Sequence, residues 1–163
     1  MRHAMILLML TSLSAPVLAQ RESLGIFSQW GAFMDSSPRR CFAIAQPFQA
    51  PRAEQWKPFL SVAYWPARGS KGQLHARLSR AKRPQSAVLL RIDERTFQLV
   101  GGGNNAWAPD ARADAEIVAA MRTGIDLTIE TRSVTGALIR DQYQLRGAAT
   151  AIDAAAIACA ARR

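Results

Sequence analysis

A chain of 163 residues with a formal charge of +9 has room for one domain with a substantial core, and not for two. Two cysteines and two histidines, of which His3 lies at the extreme N-terminus, cannot furnish a typical zinc site, and no C-x-x-C redox pair occurs. The sequence also lacks the G-x-S-x-G elbow of serine hydrolases and the G-K-[ST] ending of a Walker loop, so its motifs imply no cofactor and no metal.

The opening "MRHAMILLMLTSLSAPVLAQ" places Arg2 and His3 before an apolar run from Ala4 to about Leu10 and then small residues up to Ala19. This is the three-part pattern of a secretory signal peptide over residues 1–19, with cleavage after Ala19. The apolar run is shorter than the ~20 residues a spanning helix needs, so the mature chain is expected to carry no transmembrane span. No cysteine follows the cleavage region, which argues against a lipoprotein. The single domain is then 20–163, periplasmic or extracellular in a Gram-negative bacterium, with a charge of +8 once Arg2 is removed. Export argues against a nucleic-acid partner despite that charge. It also places the two thiols in an oxidising compartment, where the simplest pairing is one disulfide, Cys41 to Cys159. Closing a loop of 118 positions contributes roughly 4 to 5 kcal/mol in the chain-entropy account.

Next in the chain, "IFSQWGAFMD" and "RRCFAIAQP" read as two strands joined by the "SSP" turn, the second apolar on both faces as a central strand would be. "PFQAPRAEQWKP" holds three prolines and no periodicity and reads as a loop. "FLSVAYW" is a strand followed by turn chemistry, and "QLHARLSR" alternates Leu74, Ala76 and Leu78 against His75, Arg77 and Ser79, giving one core face and one wet face. The basic turn "AKRPQS" leads into strands "AVLLRID" and "RTFQLV", with Asp93 and Glu94 in a tight connection between them. "GGGNNAWAPD" reads as a flexible connector with positive-φ positions. Asp110 suits the N-cap of a helix near 111–122, with Ala113, Ile117, Ala120 and Met121 on one face and Gly124 at its end. "IDLTIETRS" and "LIRDQYQLR" are two further strands, and Thr150-x-x-Asp153 resembles the capping box of a C-terminal helix near 151–160. There Ile152, Ala155, Ala156 and Cys159 share a face, and the alanines let the helix lie close to a sheet that the cysteine locks it to. The expected fold is mainly β: an antiparallel sandwich or flattened barrel of about eight strands with two short helices, one of them C-terminal.

The signal peptide, the Trp30-Gly31 pair, "CFAIA" at Cys41, "LHARL", "AVLLRID", "ADAEIVAAMRTG" before "IDLTIE", and the final "YQLRGAATAIDAAAIAC" together resemble the invasion-associated locus B family of alphaproteobacterial exported proteins. The resemblance spans nearly the whole mature chain and implies a β-rich periplasmic or surface-associated domain with no catalytic residues to carry over. This chain departs from the commoner family pattern in lacking cysteines near "GGGNN" and in its basic surface.

Candidate chemistry is sparse. His75 alternates onto a wet face as a solvated strand residue, and the carboxylate pairs Asp93 with Glu94 and Asp126 with Glu130 fit turns and outer faces as well as any glycosidase site. Trp30 and Trp65 sit in strands and read as core. Trp56 and Trp107 sit in predicted loops and are the candidate pocket aromatics, able to stack on a sugar face. Between Pro51 and Arg95 ten Lys or Arg face three acidic residues, and Arg77, Arg80, Lys82 and Arg83 are expected to gather at one end of the sheet. Such a field attracts anionic lipid or polysaccharide of the envelope or a host surface. The expected function is a non-catalytic exported binding module. The alternative is an envelope hydrolase with a loop-lined pocket.

Overall fold

The computed structural model describes residues 21–51 and 56–160. The expected signal peptide, 1–19, and its cleavage site lie outside these residues. Among the described residues ten strands form: β1 (Arg21–Phe27), β2 (Trp30–Ser36), β3 (Arg39–Ala45), β4 (Phe59–Trp65), β5 (Ser70–Arg77), β6 (Val88–Ile92), β7 (Arg95–Gly102), β8 (Asn105–Trp107), β9 (Asp126–Arg132) and β10 (Leu138–Gln144). Two helices accompany them, α1 (Ala111–Thr123) and α2 (Ala148–Ala160). The strands make one antiparallel sheet in the order β1-β2-β3-β4-β5-β8-β7-β6-β9-β10.

The architecture is thus the expected antiparallel β domain with two helices, one C-terminal, while the strand number rises from about eight to ten. Both extra strands come from hairpins with two-residue loops. "IFSQWGAFMD" is not one strand: Ser28, at φ 57°, turns the chain so that Phe27 pairs with Trp30, without the Gly or Asn that usually marks such a turn. "GGGNNAW" is not a connector: Gly102 pairs with Asn105 around Gly103, at φ 59°, and Gly101 lies so close to Ala106 and the Asn105 carbonyl that a side chain there would clash.

The sheet is curled and not closed. β7 belongs to both arms, pairing Leu99 with Val88 of β6 and Val100 with Trp107 of β8. The inward residues of the two arms, among them Trp30, Leu60, Val62 and Leu74 on one side and Leu90, Ile129 and Tyr143 on the other, fall in a single buried cluster. Each large apolar side chain taken wholly out of water contributes about 1.5–3 kcal/mol, so this shared core dominates the stability. β1 and β10 remain edges. The loop after β3 partly covers the second: Phe48 N donates to Gln142 O at 2.9 Å and Gln142 N to Gln49 O at 2.7 Å.

Both helices pack on the inward side. Asp110 caps α1 by accepting from Ala113 N at 2.8 Å, and Asp114 ties the helix to β5 by accepting from Leu74 N at 2.8 Å. Ile117, Ala120 and Met121 are its buried face. The second helix begins at Ala148, earlier than expected, so Thr150 lies inside it and the capping box is not used. Gly147, at φ 89°, makes the turn into α2 so close to β1 that a Cβ there would run into the Phe27 carbonyl. Ala148, Ala151, Ile152, Ala155 and Cys159 face the inner sides of β1 to β4, and Cys159 is bonded to Cys41 of β3, with Cα atoms 5.7 Å apart. Arg122 of α1 and Asp153 of α2 pair across the two helices.

Candidate functional site

Alternation along β1 to β5 sends Trp30, Ala32, Cys41, Ala43, Leu60, Val62 and Leu74 into the core. The opposite series points outward, where a one-sided antiparallel sheet ordinarily carries polar residues. Here it carries rings. Pairing sets Phe33 opposite Phe42, Phe42 opposite Ala63, Ser61 opposite His75, and His75 opposite Trp107. Phe33 and Phe42 lie 5.8 Å apart, Phe59 meets the His75 ring edge-on at 5.1 Å, and His75 stacks on Trp107 at 5.1 Å with 5° between planes.

Arginines cover these rings. Arg40 stands 4.4 Å from the Phe42 centroid and 5.0 Å from that of Trp65, Arg68 lies on Trp65 at 4.9 Å, and Arg21 on Phe42 at 5.1 Å. The result is a ladder, Arg68-Trp65-Arg40-Phe42-Arg21, in which each contact contributes about 0.5–1 kcal/mol while exposed. Asp35 clamps its end: Arg21 Nε donates to Oδ1 at 2.7 Å and Arg40 Nη2 to Oδ2 at 2.6 Å. The Arg21 hydrogen bond, aided by Arg40, lowers the Asp35 pKa against the opposing effect of burial, and the same bond raises that of Arg21.

Between the rings lies a pocket of about 210 Å³ whose floor is Ser61 and Ala63, with Phe42, Ile44, Phe59 and His75 as walls and Arg21 and Arg40 at the rim. Ile44 and Phe59 also line a neighbouring hollow of about 550 Å³ that includes Phe48 and Ile26, which are 54% and 67% exposed. Arg21 and Arg40 also line a second neighbouring hollow, of about 390 Å³, bounded by Trp65 and Pro38. The outer face of the first strands therefore carries three neighbouring hollows that share wall residues, and together they make a trough. Burial, with a smaller contribution from Arg77 and Arg40, lowers the pKa of His75 against the opposing hydrogen bond between its Nε2 and Asn105 Oδ1 at 2.8 Å. Ser61 Oγ donates to the His75 carbonyl at 3.3 Å rather than to its ring, so hydroxyl and imidazole do not form a nucleophile-base pair.

The residues singled out from sequence divide. Cys41 and Cys159 are bonded as expected. Arg77 shares the outward side of β5 with His75 and lies 5.6 Å over the ring of Trp56, whose Nε1 donates to Leu78 O at 2.7 Å. Trp56 and Trp107 thus stand at the β5 side of the same face, Trp107 as part of β8 rather than a loop. His75 is half-buried in its aromatic slot rather than solvated. Lys82 turns inward: it is 6% exposed, its Nζ donates to Arg83 O at 3.0 Å and its backbone N to Gly103 O at 2.7 Å. Arg80 is half-buried and Arg83 exposed, in the connection between β5 and β6. Lys82 is therefore not on the surface with the other three. Among the described residues no cluster of His, Cys, Asp and Glu could hold a metal ion, and no helix is long and apolar enough to cross a membrane.

The outward rings and Arg21, Arg40 and Arg68 went unread. Their signal is present in "RRCFAIA" and "FLSVAYW", where the outward series are Arg40-Phe42-Ile44 and Phe59-Ser61-Ala63-Trp65. Both series look apolar enough to be core, which hid the face they build.

No protein-family model and no curated protein matches the chain. Its fold is similar to that of the crystal structure of invasion associated protein B from Bartonella henselae, with a TM-score of 0.60 at 16% sequence identity, covering 86% of this chain and 99% of that one. The likeness is one of fold.

Proposed function

We propose that the protein is an exported, non-catalytic binding module of the cell envelope that holds an anionic component of the envelope or of a host surface on the outward face of β1 to β5. One observation carries this reading: four arginines, Arg21, Arg40, Arg68 and Arg77, lie over rings on that face, and among the described residues the carboxylate paired with them is Asp35, whose single negative charge is shared by Arg21 and Arg40. Rings on the solvent side of a sheet need a reason to be there, and a cationic, ring-lined trough is suited to anionic ligands with apolar faces. The disulfide is compatible with an oxidising compartment, and the Bartonella henselae protein of similar fold is named for invasion. Arg80 and Arg83 add to the general positive field, while Lys82, being buried, offers no surface contact.

The reading is tested by co-sedimentation of the mature protein with Gram-negative envelope fragments. Pelleting at low salt, release at high salt, and loss in an Arg21→Gln/Arg40→Gln/Arg77→Gln variant are expected, since each cation near an anionic surface contributes on the order of 1 kcal/mol. Absence of pelleting at low salt, or pelleting that ignores salt and the substitutions, would overturn it. Turnover of any substrate in a hydrolase panel would favour the enzyme alternative.

A further inference from the structure

We infer that the ligand of the trough is an acidic polysaccharide, with one sugar ring in the central pocket and its carboxylate on Arg40 and Arg21. This rests on the reading of the outward face as the binding surface and specifies what it holds.

The shape argues for a sugar. The pocket of about 210 Å³ exists because β4 places its two small outward residues, Ser61 and Ala63, between the rings of Phe42 on one side and Phe59 and His75 on the other. That is space for one ring-sized unit with apolar C–H faces lying against aromatic walls, while hydroxyls on its edge reach polar side chains. An acyl chain would need a long enclosed apolar cavity, and a flat membrane surface could not reach a floor that lies beneath the flanking rings. Hollows that share its walls flank the pocket on both sides, at Ile44 and Phe59 and at Arg21 and Arg40, which leaves room for the neighbouring units of a polymer.

The charge argues for an acid. Arg40 lies within 4.4 Å of the Phe42 centroid and 5.0 Å of that of Trp65, and its Nη2 contact to Asp35 leaves other guanidinium N–H groups for a carboxylate. A guanidinium already held by two rings and a carboxylate loses less freedom on making a further carboxylate contact than one free in solvent. Arg21, over Phe42, donates to Asp35 through both Nε, at 2.7 Å, and Nη2, at 3.2 Å, and keeps its remaining N–H groups on the other side of Asp35.

The test uses the full mature chain, short oligogalacturonates as the acidic probe, dextran oligomers as the neutral one, and phosphatidylglycerol vesicles as the lipid arm. Oligogalacturonate is expected to bind at low salt with a change in tryptophan fluorescence, and dextran at least about tenfold more weakly. Arg40→Gln is expected to weaken oligogalacturonate binding about tenfold, the order for losing a hydrogen bond to a charged group. Ala63→Phe, which fills the floor, should abolish it, and Phe59→Leu, which keeps bulk but removes a ring, should weaken it should the first variant fail to fold. Equal binding of the two sugars, or oligogalacturonate binding unchanged in Arg40→Gln and in the ring or floor variant, overturns the inference. So does binding of vesicles in preference to oligogalacturonate. Envelope pelleting that depends on Arg21, Arg40 and Arg77 without any oligogalacturonate binding would remove the sugar and leave the binding face. Loss of both would remove both.

Discussion

His75 occupies a slot between Phe59 and Trp107 and is held by Asn105, and its surroundings favour the neutral ring. Its folded-state pKa lies below the ordinary 6.5, chiefly because burial disfavours the charged form. As pH falls, the unfolded chain takes up the proton first, so the contribution of His75 to stability is fully present above about 6.5 and is lost as pH drops through that value towards the folded pKa. Urea unfolding at a series of pH values between neutral and about 5 is expected to show the wild type losing more stability than His75→Gln, which keeps a partner for Asn105 and does not titrate. Parallel curves would contradict this. The alternation of "QLHARLSR" located the outward side of His75 and Arg77, but wetness does not follow from facing outward: the aromatic neighbours come from β4 and β8, far away in sequence. Lys82 makes the converse point. Its letter says surface, and its backbone bond to Gly103 draws it in.

The elements were legible where local chemistry decides them. Asp110 and the apolar spacing of α1 are sufficient signals, and the Asp93-Glu94 connection is a two-residue hairpin loop with Asp93 at φ 47°. Elements set by tertiary packing were harder to read, as with the turn at Ser28 and the early start of α2. The second helix is weakly amphipathic in its letters because alanine serves both sides, and its placement depends on close approach and on the covalent link to β3. Cys159→Ser is therefore expected to lower unfolding stability by a few kcal/mol, within the ~4–5 kcal/mol chain-entropy limit, while the protein still folds on the buried alanine face. Non-reducing peptide mapping should join the Cys41 and Cys159 peptides. Unchanged stability of the variant would show that the helix is held by packing alone.

Across the whole molecule, the sheet's first strands receive their cover from the chain's last helix. A chain ending at Arg146 would leave the inward side of β1 to β4, with Trp30, Ala43, Leu60 and Val62, without α2. Such a chain is expected to bind hydrophobic dyes and to lack the near-ultraviolet dichroism of packed aromatics, and a native-like spectrum would contradict this. Antiparallel β architecture was foreseeable from eight strand-like segments. The curl that joins both arms in one core was not, because it depends on β7 pairing to both sides. The bond between Cys41 and Cys159 also orders events in time. With 118 positions between the two and synthesis at ~5–20 residues per second, Cys41 waits roughly 6–24 s for its partner. The bond can therefore form only once nearly the whole chain, α2 included, has been made.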